Sequence, residues 1–593
     1  MSDARMLLTS MRLRSRRSQC ACGFFLRGER RTGFLTAQSS RARRWSRRAS
    51  SAAPSGWTPS GWPPSGWAAG AWAAGAWAAG WALAAFCAVA YLPLLRADSA
   101  GTFHDDGLYL VGAKALAEGS GYRIASLPGE PAQTKYPVLF SWALSWVWSI
   151  SPSFPENLRL LKLVPLAAGL AWLWGSRRLA LRWGGSPAEA AGLMLLAAAS
   201  PWSGYLSTSL MSETLFAALT VYGLLALDEA SREGSAWPAG LLAGLLAGGA
   251  TLTRLAGVAL AAACLVTLAT RRRGSALAGC AAGLAVTAGP WFGWVRQQNA
   301  AAALYDAYYS ASSYGAWSTA GAEAWSEKLD VAATNLLLIG CTPFLSWGIE
   351  PGAWAVLPGL AAAAIFVRGA WQERRHPATA FVGVYLLMLL VWPWLPQRFL
   401  APILPVLAWL AWRGAGRLRP LAAAAAVVLF ASGAATLWGL GNEARVRQAA
   451  APIRDRAEDW PRIEALLAWI DRHAAEDAVL AGNLDPAYYL YTGRRAVRAF
   501  SANPYRLFYD YREHPENPLG DVEALRRRLQ QFQVDYLLLE RGAGFAETAH
   551  LKRLVGQLQA EDPAALERCA GDEASGYVVY RVRLPRAAAE GAR

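Results

Sequence analysis

Two adjacent carboxylates, Asp105 and Asp106, stand in the stretch Phe103-His104-Asp105-Asp106-Gly107-Leu108-Tyr109, just after the first long apolar run. Lys135-Tyr136-Pro137 closes the same loop. Beside a membrane face such a pair is costly to keep ionised, because low dielectric and mutual repulsion push one pKa up unless a cation or a donor offsets them. A carboxylate at the membrane surface can act as base toward a hydroxyl, and Lys135 offers a charge suited to an anionic group. We read this loop, residues 97–136, as the catalytic loop. Tyr109 lies one helical turn along if the motif opens a helix, facing the same cavity, or serves as an ordinary interface aromatic. His104 reads as a solvent-exposed loop residue.

The elements that must position this loop are membrane spans. The length of 593 residues would allow three or four soluble domains, but 54% hydrophobic residues, 29 Trp and only 17% charged residues point to a polytopic α-helical membrane protein. The net charge of +16 does not indicate a nucleic-acid partner: residues 1–50 hold 13 Arg against Asp3 and Glu29 and supply +11 of it. The remainder suits a membrane protein with basic cytoplasmic loops. The seven cysteines are scattered, with neither a disulfide framework nor metal-ligand spacing, and Cys20-x-Cys22 lacks the two-residue gap of zinc and redox motifs.

Residues 1–68 are Arg- and Ser-rich and then repeat Ser-Gly-Trp and Ala-Gly-Ala-Trp every five residues through Trp57, Trp62, Trp67, Trp72 and Trp77, a period that fits neither helix nor strand. They read as a disordered low-complexity tail or an over-long start, or as a basic anchor for anionic lipids. Arg41 to Arg48 precede the first apolar run, Ala68 to Leu95, which puts the tail in the cytoplasm and the Asp105-Asp106 loop outside.

Later basic clusters agree. Spans are expected at Leu158–Gly175, ending at Arg177-Arg178, and at Ala188–Leu206, Ser209–Leu227, Trp237–Leu252, Leu255–Thr270, Leu277–Val295, Ala353–Val367, Thr379–Val391, Phe399–Trp412 and Leu421–Leu440. Pro137–Ile150 is too short to span and is expected as a re-entrant or interfacial helix; Arg296–Asp330 is expected as a wet segment, followed by a partial helix at Val331–Trp347. With the first run this makes about eleven spans, over a membrane domain at residues 69–440. Residues 441–593 have globular composition, with helices near Trp460–Ala475 and Asp521–Gln531 and strand-like runs at Ala478–Gly482, Tyr536–Leu539 and Tyr577–Val582. They predict a small α/β domain, which an odd span count places outside the cytoplasm.

That orientation singles out three cations at the outer ends of spans, Lys135, Arg254 and Arg398, with Glu213 as the matching intramembrane acid. Each alone reads as one half of a structural ion pair. Together with the loop carboxylates they predict a polar cavity at the height of lipid phosphates.

The ordered set Asp105-Asp106-x-x-Tyr109, Lys135-x-Pro137, Ser212-Glu213, Thr253-Arg254-x-x-Gly257 and Gln397-Arg398-Phe399 before Pro402 and Pro405 resembles the C-type glycosyltransferase superfamily over roughly residues 70–440. The likeness is to its bacterial branch, with protein O-mannosyltransferases, the lipid A aminoarabinose transferase and rhizobial lipopolysaccharide sugar transferases. It implies a cell-envelope enzyme of the inner (plasma) membrane that moves a sugar from a polyprenyl-phosphate carrier to a lipid, glycan or protein acceptor, with inversion. Asp105 corresponds to the family's catalytic Asp, while Asp106 stands where many members carry Glu, so its role as a second catalytic residue stays open. Tyr109, Lys135, Glu213, Arg254 and Arg398 become substrate-binding candidates. No cofactor is assigned: some related oligosaccharide transferases use a divalent cation, but this chain shows no further carboxylate in Asp-x-Asp spacing.

Two other readings stay open at this stage. An outward-facing transporter or lipid flippase would also bury ionisable groups in a bundle, although the loop acids lie at the surface and no Gly- or Pro-broken helix pair recurs in two matching halves. A catalytically dead scaffold is the other, against which Asp105 and Lys135 are both present.

Overall fold

The computed structural model describes residues 67–96, 100–234, 236–298, 322–447, 454–510, 517–540, 546–572 and 575–585. The Arg-rich tail and most of the expected wet segment between Arg296 and Asp330 fall outside these. Among the described residues, Trp67–Ala79 belong to one unit and the chain from Gly80 onward to another.

The chain is mostly helical: α1 (Trp67–Ala90), α2 (Asp105–Ala117), α3 (Leu139–Ile150), α4 (Leu158–Arg182), α5 (Pro187–Ala198), α6 (Pro201–Thr208), α7 (Glu213–Ala230), α8 (Trp237–Thr253), α9 (Val258–Thr270), α10 (Gly274–Gln298), α11 (Ala322–Gly340), α12 (Val356–Gln372), α13 (Pro377–Leu390), α14 (Leu404–Ala415) and α15 (Arg419–Arg447). Among the described residues four stretches are long and apolar enough to cross a membrane: Leu158–Arg182, Gly274–Gln298, Ala353–Gln372 and Gln397–Gly441. The bent pair α6 and α7 makes a fifth if it is one span, and six shorter apolar helices accompany them. Leu337, Leu357 and Val427 are 72, 77 and 68% exposed. Apolar side chains presented outward on successive helices in this way are suited to lipid, which makes this a multi-pass membrane protein.

Several elements depart from the expected boundaries. Trp67, Trp72 and Trp77 of the five-residue repeat lie within α1, because the alanines between them favour helix whatever the period of the tryptophans. The expected span Ala188–Leu206 is broken at Ser200-Pro201: Pro201 has no N–H to continue a helix and holds Ser200 extended, at ψ 126°. The chain then turns by 109° between α6 and α7. Helix α4 continues past Gly175 to Arg182, so Arg177 is not a loop residue; it is buried, with its guanidinium 5.1 Å from the centre of the Trp174 ring. The expected short helix after Pro137 is present as α3.

Beyond α15, helices α16 (Arg454–His473), α17 (Asp485–Thr492), α18 (Val522–Gln531) and α19 (Ala546–Glu561) surround a five-stranded sheet. Its strands are β1 (Leu480–Gly482), β2 (Ala496–Arg498), β3 (Tyr536–Glu540), β4 (Leu566–Asp572) and β5 (Tyr577–Val582), in the order β2-β1-β3-β5-β4. The first three are parallel, and β5 pairs antiparallel with β3 and β4. One face packs on α16 and α17 through Ile463, Leu466, Ile470 and Tyr488. A second apolar cluster runs from Phe500, Phe508 and Leu537 to Leu110, Phe140 and Leu161, so the sheet and the segment from α2 to α4 share one core.

Helices α8 and α10 pack closely because both carry glycines four residues apart: Gly240, Gly244 and Gly248 lie against Ala276, Cys280 and Thr287, and Gly279 and Gly283 against Trp237 and Leu241. A Cβ on Gly244 would fall on the Cys280 carbonyl oxygen, and one on Gly279 on that of Trp237. Backbone atoms cannot move aside. Gly244→Val is therefore expected to destabilise the protein by at least ~1–3 kcal/mol, as overpacking does, and to lower its melting temperature in detergent. Gly192→Ala, where the added carbon meets nothing within 4 Å, should not.

Candidate active site

Asp105 opens α2, and Glu213 opens α7. Both carboxylates thus sit where the unpaired N–H groups and dipole of a helix N-terminus favour negative charge. Arg254 follows the last residue of α8, the end that favours a cation. Arg398 lies in a four-residue helical turn, Gln397–Leu400, which prolines at 396 and 402 separate from the longer helices.

These helix ends meet. The Asp105 Oδ2 accepts from Arg398 Nη2 at 2.6 Å, and Oδ1 accepts from the Tyr136 hydroxyl at 2.6 Å. Arg398 Nε lies 2.7 Å and Arg254 Nη1 2.8 Å from Glu213 Oε1. By angle these are close ion pairs rather than aligned hydrogen bonds. Arg254 Nη1 also donates to Ser212 Oγ at 3.1 Å, which is 2.8 Å from the Tyr109 hydroxyl. One continuous network thus runs Asp105, Arg398, Glu213, Arg254, Ser212, Tyr109. Glu213 is its most buried charged member, 1% exposed; the Asp105 side chain is 22% exposed and accessible to a ligand.

Lys135 stands beside this network, half-buried, with its ammonium 5.2 Å from the centre of the Tyr136 ring. Its pKa is lowered to about 8, by burial first and by the charge of Arg498, against the opposing pull of Asp105 and Asp485. For Asp105 burial acts upward, but the Arg398 charge, the hydrogen bonds from Tyr136 and Arg398, and the Lys135 charge outweigh it and hold the carboxyl well below the usual range.

Asp106 has a different setting. Its Oδ2 accepts the Gly101 N–H at 2.8 Å, and its Oδ1 accepts those of Phe103 and Gly107 at 2.9 Å each, so this buried carboxylate ties the loop to the first turn of α2. His104 is not solvent-exposed, as the sequence suggested. It is 6% exposed, in the left-handed region at φ 64°, with Nε2 3.6 Å from Asp485 Oδ1 in the C-terminal domain. Burial, then the charges of Arg498 and Lys135, keep its pKa well below the ordinary value, so at neutral pH the ring is uncharged and the contact is not an ion pair. Sequence reasoning missed this neighbour because nothing in the sequence relates the two segments. It also passed over Tyr136 and Ser212 as site residues, although both sit inside motifs that it used.

A carboxylate kept ionised by a tyrosine and an arginine, beside a half-buried lysine, can bind an anion and accept a proton. Because the Asp105 pKa is depressed, its charged form persists above that pKa and is lost as pH falls through it. The stability contributed by its contacts is lost in the same direction. Tyr136→Phe removes one of the depressing hydrogen bonds, so Asp105 should protonate at a higher pH. An infrared titration of the carboxylate band, referenced to Asp105→Asn, measures this; an unchanged midpoint would show that the Tyr136 bond does not tune Asp105.

No protein-family model matches the chain, and no curated protein matches it. Solved structures do. ArnT from Cupriavidus metallidurans in the apo state aligns at TM-score 0.51 and 15% identity over 85% of this chain and 98% of that one. The same protein bound to undecaprenyl phosphate aligns at TM-score 0.51 and 16% identity over 86% and 98%. A weaker likeness, TM-score 0.49 and 12% identity over 88% and 75%, is to the archaeal oligosaccharyltransferase AglB from Archaeoglobus fulgidus in complex with an inhibitory peptide and a dolichol-phosphate. ArnT, a lipid A aminoarabinose transferase, is a C-type glycosyltransferase, and its fold is the fold of this chain.

Proposed function

We propose that this chain, having the C-type glycosyltransferase fold, transfers a sugar from a polyprenyl-phosphate carrier to an acceptor outside the cytoplasmic membrane, with Asp105 as the base. The observation that carries the reading is the Asp105 carboxylate, hydrogen-bonded to Arg398 and within the field of Lys135 at an accessible position. A phosphate leaving group needs cations rather than a proton, and an acceptor hydroxyl needs a base; here both stand side by side.

The acceptor oxygen attacks the anomeric carbon from the face opposite the phosphate while Asp105 takes its proton. The carbon–oxygen bond to the carrier breaks, its electron pair leaves with the phosphate, and Lys135 and Arg398 meet the charge released. The configuration inverts. Arg398 has a second consequence: while it grips Asp105 the carboxylate is a weak base, and a donor phosphate that draws the guanidinium away raises the Asp105 pKa when a base is needed. Glu213 and Arg254 anchor Arg398, Tyr109 closes the network through Ser212, and Asp106 holds the loop rather than sharing the proton transfer. The substrate-binding assignments of Lys135 and Arg398 are tested by donor affinity. Lys135→Ala and Arg398→Ala should each lose about 1.5–3 kcal/mol of it, as for a charge-assisted hydrogen bond, and unchanged affinity on folded protein would reduce both to structural ion pairs.

For topology we propose about eleven spans across the inner membrane, with the clusters at Arg177, Arg271, Arg374 and Arg417 cytoplasmic and the C-terminal domain outside with the catalytic loop. The acceptor class remains lipid, glycan or protein, and the sugar hexosyl or pentosyl. A phosphatase reporter fused after residue 447, where α15 ends, should be active; a cytoplasmic signal there would move the catalytic loop to the other side with it.

The central test supplies membranes with radiolabelled polyprenyl-phosphate sugars and identifies the product. Asp105→Asn keeps the size and polar shape of the side chain but cannot take the proton, so transfer should fall by roughly 10²- to 10⁴-fold with donor affinity little changed. Asp106→Asn should fall less. A transporter or flippase would yield no glycosyl product in any form, and collapse of the Asp106 variant alone would reassign the base.

A further inference from the structure

The C-terminal domain grips the Asp105 loop along the segment β1-α17-β2. A Cβ added to Gly107 would lie 2.6 Å from that of Pro486, and one added to Gly101 3.0 Å from that of Ala487. The Ala100 N–H donates to the Tyr491 hydroxyl at 3.2 Å, and the Ala496 N–H to the Ser126 carbonyl at 2.8 Å. Asp485, fully buried at the start of α17, lies against His104.

A second contact of the same domain reaches the chain that carries Arg398. The Asn503 side chain accepts the main-chain N–H groups of Tyr505 and Arg506 at 3.0 and 3.4 Å and so opens the short helical turn Pro504–Phe508. Three aromatic side chains leave the domain from here. The Tyr505 hydroxyl donates to Asp330 Oδ2 on α11 at 3.0 Å, and the Phe508 ring lies 5.4 Å, centre to centre, from that of Trp394. The Tyr509 hydroxyl donates to Asn335 Oδ1, also on α11, at 2.9 Å, and both residues are buried.

Asn335 completes the connection. Its amide nitrogen donates at 2.9 and 3.3 Å to the carbonyls of Leu389 and Leu390, at the end of α13 where main-chain acceptors lack helical partners, and at 2.8 Å to that of Trp392. By donating to Oδ1, the Tyr509 hydroxyl turns the amide so that its nitrogen, and not its oxygen, faces these carbonyls. From Trp392 the chain runs six residues to Arg398 through Pro393 and Pro396, whose rings fix φ. The Trp392 ring also packs edge-on against Phe399 at 5.8 Å, and the Phe399 carbonyl accepts from the Tyr385 hydroxyl of α13 at 2.8 Å. The link therefore has little slack. Where Asn335 holds Trp392 decides where Arg398 begins, and Arg398 must meet Asp105 Oδ2 at 2.6 Å and Glu213 Oε1 at 2.7 Å.

We propose that Tyr509 and Asn335 are positioning residues for Arg398, so that the C-terminal domain holds both halves of the Asp105–Arg398 pair, the carboxylate through its loop and the guanidinium through the proline-stiffened link. Loosening this face of the domain parts the two groups without altering either. What the placement serves, reception of the carrier phosphate, rests on the glycosyltransferase reading.

The test is binding of undecaprenyl phosphate, with undecaprenol as the neutral control, to the full-length protein in detergent. Tyr509→Phe should weaken binding of the phosphate roughly 3- to 10-fold, as for one lost neutral hydrogen bond. In an Arg398→Ala background the same change should cost about 2-fold at most, because a residue that acts through Arg398 then has nothing to place. Tyr505→Phe removes a docking hydrogen bond of the same domain whose acceptor is Asp330 rather than Asn335, and should leave affinity unchanged. A merely structural role for Tyr509 makes the losses add in the double variant. Additive losses, or a loss in Tyr505→Phe equal to that in Tyr509→Phe, overturn the proposal. If Tyr509→Phe does not fold, Phe508→Leu, which loosens Trp394 in the same link, takes its place under the same criteria. A second readout needs no ligand. Because Arg398 holds Asp105 ionised, the Asp105 carboxylate band should titrate at higher pH in Tyr509→Phe, and an unmoved midpoint likewise overturns the proposal. Equal binding of undecaprenyl phosphate and undecaprenol by the unaltered protein overturns the glycosyltransferase reading alone, and the carboxylate midpoint then decides the placement of Arg398.

Discussion

Glu213 is almost wholly buried, and it is tolerated there because two guanidinium groups reach the same carboxylate oxygen. A buried carboxylate without such partners would be expelled or protonated, and a buried arginine without its acid would be equally costly. The rest of this end of the bundle follows from that constraint. Helix α7 must begin at Glu213, α8 must end at Arg254, and the proline-bounded turn must present Arg398 so that one hand holds Glu213 and the other Asp105. The position of the Asp105 carboxylate is thus set from below, through the arginine that it shares with Glu213.

It is set from above by the loop. Three main-chain N–H groups converge on Asp106, which fixes where α2 starts and therefore where Asp105 points. The same loop carries a histidine in the left-handed region, a conformation that persists only where surrounding contacts impose it. Those contacts come from Asp485, Pro486 and Ala487, while the apolar cluster beneath joins α2 and α3 to the sheet. Neighbouring aspartates consequently differ in kind: one is held by side chains that a ligand can rearrange, the other by backbone that it cannot.

Much of this was legible in the sequence because apolar runs and their charged ends are local signals. The order Asp105, Lys135, Glu213, Arg254 and Arg398 was enough to expect a shared polar cavity, and β3 and β5 were visible as apolar runs. Failures came where a local signal was outweighed or absent. Alanine propensity overrode the tryptophan period in α1, and Pro201 divided what hydropathy presents as a single run. Strand β4, Leu566–Asp572, alternates too little to be seen, being an edge strand defined by its pairing with β5. Strand β2, the opposite edge, was missed for the same reason, and with it and α17 went the proximity of Asp485 to the loop, which no spacing rule encodes.

The hydrogen bond from Ala100 to Tyr491 joins residues 391 positions apart. A chain made from its N-terminus and inserted helix by helix presents the Asp105 loop long before α17 exists, so the contacts of His104 and Gly101 with Asp485 and Ala487 cannot form until then. The loop can reach its final geometry only after the domain that holds α17 has been synthesised and folded onto it. The geometry around Asp105 is thereby tied to synthesis of the C-terminal domain, and a chain that stops short of α17 lacks the surface that shapes this loop.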